Sequence, residues 1–560
     1  METPGPPPRP LGATETPPPA PGAAAQGGGP RFVRTASSDE WVKATFLMQP
    51  ADARVLLVGS ASSAAPPRIR VPKLALGSRP VAGEATPPAD LVDLPVARTF
   101  GSLQEAADAA QGGDVVAVMP GRYAGFSLEG KASAGDGRYI RFGALGAPGE
   151  VTIERPSPRH RDWFVYVHAA HHVVIEGFHL AGDGRARAAI MLDGDFGQTS
   201  RLVHHVALLG NYAHHFRRWG LHATDTHTVL VQDSVFAHSA EEHSAYVSDG
   251  SDNWVLRRNV FFRSHASGLQ INLDPVASLD TVREHPAFAG WPDGPPTRGW
   301  ATALVAEATR KFGEHGFPDG RGVNFIIEDN VMYGHGAGGA AALNLAGLSD
   351  SLIQNNVIYG NVAGGIAQWD DGNPFDEEAV KPDKPQPPPP DATPLFGCRN
   401  NIVRNNTVLM DRTGRYALQS RNGSSGTRAV NNVLINDSPS SIEVDHASIP
   451  GFDGHHNVVH EVAYDEVAPD LRLLARSAPD GPQNRTGITR ARFAAEVVRY
   501  GEEPWLLLEG SWFRLNPARP DFRPRPGSAL LAGKGDAAEL PPRDFTGRAR
   551  RAADIGALAP

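Results

Sequence analysis

The chain of 560 residues has one cysteine, Cys398, which excludes an intramolecular disulfide framework and any cysteine-rich zinc site. Lysine is scarce, with seven in all and none between residues 140 and 310. No apolar run approaches the ~20 residues that span a bilayer, and no basic-then-apolar leader opens the sequence, so neither a membrane span nor a signal peptide is expected. Only 21% of residues are charged and the net charge is -9. A general nucleic-acid binder needs a basic face to displace phosphate counterions, so that class is disfavoured.

What is abundant is turn chemistry. The 60 Gly and 49 Pro favour β structure over helix, and 41% hydrophobic residues are ample for a large core. Residues 1–30 hold 10 Pro and 6 Gly and read as a disordered tail, because they cannot bury enough apolar surface to offset the entropy of ordering. Residues 31–97 form a small N-terminal β-rich segment, and 98–560 form the main body. Within that body, 274–322 is an insertion with a helix near Ala301 to Phe312. Residues 373–394 are a Pro-rich surface loop, and 461–560 are an irregular C-terminal region.

Ser102 and Glu105 have capping-box spacing before an Ala-rich stretch, so a short helix starts there. Short apolar stretches ending in Asn or Asp then recur, closing at Asn211, Asp233, Asn259, Asn330, Asn356, Asn406, Asn432 and Asn457. The steps are 22 to 26 residues except where the insertion and the Pro-rich loop intervene. That period is the signature of a solenoid whose units bury their apolar sides against their neighbours. Asn tolerates left-handed turns and can hydrogen-bond along a stack of its own kind, which gives these residues a structural role.

With the opening Phe100-Gly-Ser-Leu-Gln-Glu-Ala-Ala-Asp-Ala-Ala-Gln-Gly-Gly-Asp114, Pro120-Gly-Arg-Tyr123 and the Asn-ended coils, the chain resembles the right-handed parallel β-helix superfamily, the pectate-lyase-like fold. The closing Asp521-Phe-Arg-Pro-Arg-Pro-Gly-Ser528, Asp544-Phe-Thr-Gly547 and Asp554-Ile-Gly556 join this resemblance, which covers roughly residues 98–558. The resemblance implies an all-β, right-handed parallel β-helix solenoid with an N-terminal capping helix, one helical insertion and a Pro-rich loop. It also implies a secreted or cell-envelope protein. A monomer is the expected state.

Stacked coils give a second ladder. Gly220 to Asp225, Ser244 to Asp249 and Gly268 to Asn272 repeat with a period of 24. Strand side chains alternate faces, so Leu221, Ala245 and Leu269 point inward while His222, Tyr246 and Gln270 point outward beside Thr224, Ser248 and Asn272. Asn344 and Trp369 are expected to continue the outward row. Such a row suits an extended sugar chain.

Residues 160–243 carry 13 of the 21 histidines, but no His-Glu-x-x-His element fixes a zinc geometry. His204, His205, His214 and His215 read as turn residues. Asp225, Asp249 and Asp274 stack on neighbouring coils with Glu241 and Glu242 close in sequence, and a hard cation would relieve their repulsion. The stacked carboxylates of β-helix lyases make Ca²⁺ the implied cofactor.

Many β-helix lyases use a Lys base, which is absent from the coils here. Gly334-His-Gly336 lacks the Asp elements that precede it in polygalacturonase-type hydrolases, and the Asp-Pro-His-Glu pattern of mannuronan epimerases is missing. What remains is a His and Tyr pair for β-elimination on a uronate. His222 or His243 would act as base and Tyr246 as acid, with Arg217, Arg218 and Arg263 binding substrate carboxylates. The expected function is binding and cleavage of an acidic, uronic-acid-containing polysaccharide by elimination. The alternatives are a non-catalytic carbohydrate-binding or structural module, and an epimerase or glycoside hydrolase using the same groove.

Overall fold

A computed structural model describes residues 38–46, 53–59, 68–73, 76, 90–131, 138–199, 201–290, 298–313, 317–370, 397–437, 440–445, 447–449, 451–460, 462–464, 484–509 and 512–560. The expected tail at 1–30 and the Pro-rich loop at 373–394 lie outside them, as do parts of the insertion and of the C-terminal region.

Residues 31–560 form one compact unit. Its frame is three long sheets, one of 14 strands and two of 11. Successive strands go to the first, second and third sheet in turn, and each pairs in parallel with the strand one coil away, as Val206 with Val229 in the first sheet and Leu221 with Ala245 in the third. The chain is a parallel β-helix, with 11 coils among the described residues. The three additional strands of the first sheet are Val55–Val58, Arg68–Pro72 and Leu91–Phe100, so the segment at 31–97 extends this sheet.

Inward side chains line up from coil to coil. The third sheet stacks Val165, Ile190, Leu221, Ala245, Leu269, Leu343 and Ile366 along one column of the core. Strands buried on their inner face need this in-register apolar column, because a slip of one residue would send every side chain to the wrong side. The helix Leu103–Ala109 closes the first coil. Ser102 caps it by accepting from the Glu105 backbone N–H at 3.2 Å, and Leu103, Ala106 and Ala107 enter the core.

The Asn signal resolves into two adjacent columns at the corner between the first and second sheets. The first is left-handed and holds Asp233, Asp329, Asn355, Asn405 and Asn431, with φ between 52° and 59°. The second is the buried ladder Asn259, Asn330, Asn356, Asn406, Asn432 and Asn457. In it each side-chain N–H₂ donates to the Oδ1 of the next Asn at 2.9–3.3 Å, the last donor being Asn457, which donates to Asn484. Asp233 is therefore not a ladder member. Ser234 takes that place, donating its backbone N–H to Asn259 Oδ1 at 3.0 Å, while Asp233 pairs with Arg258 at 2.9 Å.

The outer faces of two sheets are covered. The helix Ser38–Thr45 brings Trp41 and Val42 onto Val174, Ala207 and Leu230 of the first sheet. The C-terminal region lays Phe493, Trp505, Phe513 and Phe522 over Val260, Tyr333 and Tyr359 of the second. Among the described residues of the insertion, the helices Pro275–Glu284 and Arg298–Phe312 pack Leu279, Val282 and Leu304 against Phe196 and Leu202. Among the described residues no helix is long and apolar enough to cross a membrane.

Candidate functional site

The outer face of the third sheet carries the row that the period of 24 suggests. Backbone register aligns Tyr166, Met191, His222, Tyr246, Gln270 and Asn344. Adjacent strands lie ~4.8 Å apart, so the row is a continuous strip. The His222 and Tyr246 rings stack 5.1 Å apart at 17°. His243 comes from the preceding turn, with its ring 5.4 Å from that of Tyr246. Trp369 is aligned with Ala346 rather than Asn344, yet its indole N–H donates to Asn344 Oδ1 at 3.0 Å. Asn344 in turn donates to Gln270 Oε1 at 2.7 Å. Gln270 is buried, so this far end of the row is engaged with itself.

The two histidines differ in what they can do. His243 Nδ1 accepts from the Ser267 backbone N–H at 3.1 Å, which puts the proton of the neutral ring on Nε2 and makes that atom a donor. Burial and the nearby His222 push its pKa down to about 3. The Nδ1 of His222 is buried with no hydrogen-bond partner among the described residues. Burial, with the positive charges of Arg187 and Arg218, lowers the His222 pKa to about 4, so this ring is neutral near pH 7.

Cationic and aromatic groups line the edge where the third-sheet strands begin. Trp163 and Trp219 flank Ala188 in register, and the Arg187 guanidinium lies 5.3 and 4.9 Å from their ring centroids. Arg218 Nε sits 3.4 Å from Glu241 and 3.3 Å from Glu242, Arg217 Nε sits 4.0 Å from Glu241, and the Trp219 indole donates to Glu242 at 2.9 Å. Arg263 stands apart from this edge. It occupies a left-handed corner after the second sheet, and its charge bears on His238, Tyr333 and Tyr359.

The opposite edge is acidic. Tyr166 donates to Asp193, whose carboxylate lies 3.3 Å from His168 Nδ1 and accepts from Thr224 Oγ1 at 3.2 Å. Burial and Asp193 keep the Tyr166 phenol protonated far above its usual range, and Asp193 raises the His168 pKa. Asp225 and Asp249 follow on the next coils in left-handed turns. Burial, with Asp249 close by, pushes the pKa of Asp225 up to about 7. Burial, with Asp274 close by, pushes that of Asp249 up to about 6. Asn272 half-emerges beside them, in the row of Thr224 and Ser248.

The residues expected to hold Ca²⁺ fall into two groups. Glu241 and Glu242 lie at the start of the strands and Asp225, Asp249 and Asp274 at the end. A strand of four residues separates the two groups by roughly 13 Å, and one cation cannot touch both. Glu241 and Glu242 are moreover held by Arg217 and Arg218. Among the described residues no three of these acids bring ligand atoms within 4.8 Å of one another.

Sequence reasoning missed Trp163, Tyr166, His168, Arg187 and Asp193. The strict alternation of Trp163-Phe-Val-Tyr-Val-His168 was a usable strand signal. It was hidden because the row steps 25 residues from Tyr166 to Met191, then 31 to His222, and because Met191 interrupts the polar pattern.

No protein-family model matches the chain, and no curated protein matches it. Among solved structures it is similar to pectate lyase Pel9A at 13% identity and TM-score 0.41, over 82% of this chain and 91% of that one. It is similar to an alginate lyase from Paenibacillus sp. str. FPU-7 at 15% identity and TM-score 0.38, over 61% and 90%. The A-module of mannuronan C-5 epimerase AlgE6 from Azotobacter vinelandii matches at 13% identity and TM-score 0.32, over 69% and 92%.

Proposed function

We propose that the outer face of the third sheet binds an acidic polysaccharide along the stack of coils and cleaves it by β-elimination. The observation that carries this reading is the arrangement of Arg187 between Trp163 and Trp219, one strand edge away from the stacked His222 and Tyr246. Trp219 is buried and holds Arg187 and His222 in place, while the half-buried Trp163 offers an indole to a sugar ring and the guanidinium beside it suits a uronate carboxylate.

In this reading His222 is the base. With its buried Nδ1 protonated, Nε2 keeps a lone pair for the C5 proton of the uronate. The C5–H electron pair forms the C4–C5 double bond, the C4–O bond breaks, and Tyr246 donates its phenolic proton to the leaving oxygen. Arg187 and Arg218 oppose the negative charge that grows on the carboxylate as C5 loses its proton. His243 positions Tyr246 by ring contact. A polymeric substrate of this kind is met outside the cell, so the reading carries an exported or envelope-located monomer with it.

The second reading is a binding module without turnover. It is favoured by the internal hydrogen bonds that already engage Gln270, Asn344 and Trp369. One experiment separates the two: the protein is incubated with pectate, alginate and glycosaminoglycans, and ultraviolet absorbance of the unsaturated product is followed. Rising absorbance on one polymer is expected. Tight binding with no absorbance and no new reducing ends would establish the module instead, and new reducing ends without absorbance would mean hydrolysis.

A further inference from the structure

We propose that His171, His172 and His204 form a binding site for one divalent cation of the late first-row d block, with Zn²⁺ as its reference ion. The site lies on the first sheet, away from the polysaccharide face, and does not depend on the proposed function.

The fold assembles it from two coils. His171 and His204 are direct partners in the parallel register, and His204 is in turn the partner of His227. The rings therefore stack, 4.4 Å apart from His171 to His204 and 4.8 Å from His204 to His227. The following residue in each coil is left-handed, with φ of 57° at His172 and 53° at His205. That turn swings the second ring back toward the first, leaving the Nδ1 atoms of His171 and His172 2.8 Å apart and those of His204 and His205 also 2.8 Å apart. His172 and His205 stack in their own column at 4.5 Å. One ligand atom from each of His171, His172 and His204 falls within 4.8 Å of the others, and all three residues are half-buried, so a cation can reach them.

The chemistry selects the ion. An all-imidazole donor set suits Zn²⁺, Co²⁺, Ni²⁺ and Cu²⁺ and offers nothing to Ca²⁺ or Mg²⁺, which need oxygen. Tetrahedral nitrogens at ~2.1 Å from the metal stand roughly 3.4 Å apart, so the His171–His172 pair must open by about 0.6 Å, which small side-chain rotations supply. Three protein ligands leave a fourth position for water or an incoming group. Other adjacent pairs, such as His214 and His215, share the close Nδ1 contact at 2.6 Å. There too a ring from another coil approaches, His179 Nε2 lying 2.7 Å from His214 Nε2, but what distinguishes the His171 corner is that a ligand atom of the third ring falls within 4.8 Å of both others. A later corner gathers His455, His456 and Asp536, but there His455 already lies 3.7 Å from Asp453 and 4.0 Å from Asp536.

Two substitutions remove ligands with little cost to the fold. His172→Asn installs the residue that native coils carry at the matching left-handed turns, Asn253 and Asn324. His204→Phe keeps an aromatic ring in the stack. Full-length protein and the double variant are each titrated with Zn²⁺ by calorimetry, with Co²⁺ by visible absorption, and with Ca²⁺ as control. The variant is expected to bind one Zn²⁺ fewer per chain, to lose the intense Co²⁺ bands of a low-coordinate site, and to lose the Zn²⁺-dependent rise in thermal midpoint, while melting near the unmodified protein without metal. Equal Zn²⁺ stoichiometry and affinity in the two proteins, or no Zn²⁺ binding by the unmodified protein, would overturn the assignment.

Discussion

Tyr246 contributes a ring stack to the fold and a phenolic proton to the proposed chemistry, and Tyr246→Phe separates the two. The variant keeps the ring against His222, so its melting curve is expected to match that of the unmodified protein while kcat falls by about 10²- to 10⁴-fold, the usual worth of a general acid. Unchanged turnover would move the acid to another residue, with Tyr166 next in the row. Asp225 gives a pH test. Its folded pKa, about 7, and that of Asp249, about 6, lie above the ordinary value of 3.8, so the folded state binds these protons more tightly than the unfolded one. Their contribution to stability is complete below about pH 4 and is lost as pH rises to about 7. Asp225→Asn keeps the oxygen that accepts from the Gly250 backbone N–H and suits a left-handed turn. Denaturant unfolding at pH 4.5 and pH 8 is expected to show a smaller stability difference in this variant. An undiminished difference would mean that other groups dominate. The residues of the row with a period of 24 could be read from the sequence because equal spacing places equal positions in line. Arg187 could not, since its partners Trp163 and Trp219 are 56 residues apart in sequence and meet only through register.

Among the elements, the Asn corner was legible in outline but shifted by one residue at Asp233. The chain uses two neighbouring columns there, and both favour Asn or Asp, so composition alone does not tell the left-handed position from the ladder position. The ladder is the costlier one to break. Asn406 Oδ1 accepts from both the backbone N–H and the side-chain N–H₂ of buried Asn356, at 3.0 and 2.9 Å. Asn406→Ala leaves both donors without that acceptor, and at about 1–3 kcal/mol for each buried orphan the loss is expected to reach ~3 kcal/mol by urea unfolding. Asn400→Gly, at an exposed left-handed turn outside the ladder where Gly meets no steric cost, should cost less than about 0.5 kcal/mol. The capping helix was legible because its signals are local: a Ser with Glu three residues later, then alanines. Ser102→Ala is expected to cost about 1 kcal/mol in the same measurement.

For the molecule as a whole, the row from Tyr166 to Asn344 crosses five coil spacings, ~24 Å in all. A ligand lying along it gains contacts with each added sugar until it covers that distance. With size-fractionated oligouronates, kcat/KM is therefore expected to climb with chain length and level off once the oligomer spans the row. Equal rates from the shortest fragments upward would argue for a compact pocket instead. The solenoid itself was legible from its period, and the two-sided electrostatics of the third sheet were not, because basic and acidic edges lie only a few residues apart in sequence and separate only when strands are aligned.

The insertion leaves the coil where the third sheet ends at Asn272, yet Asn259 and Asn330 on either side of it in sequence remain hydrogen-bonded neighbours, and the stack resumes as though nothing intervened. A corner that forgives so long an excursion is a ready splice point: a foreign domain whose ends lie one coil apart could be grafted there and displayed from the side of the rod, with the column beneath it undisturbed.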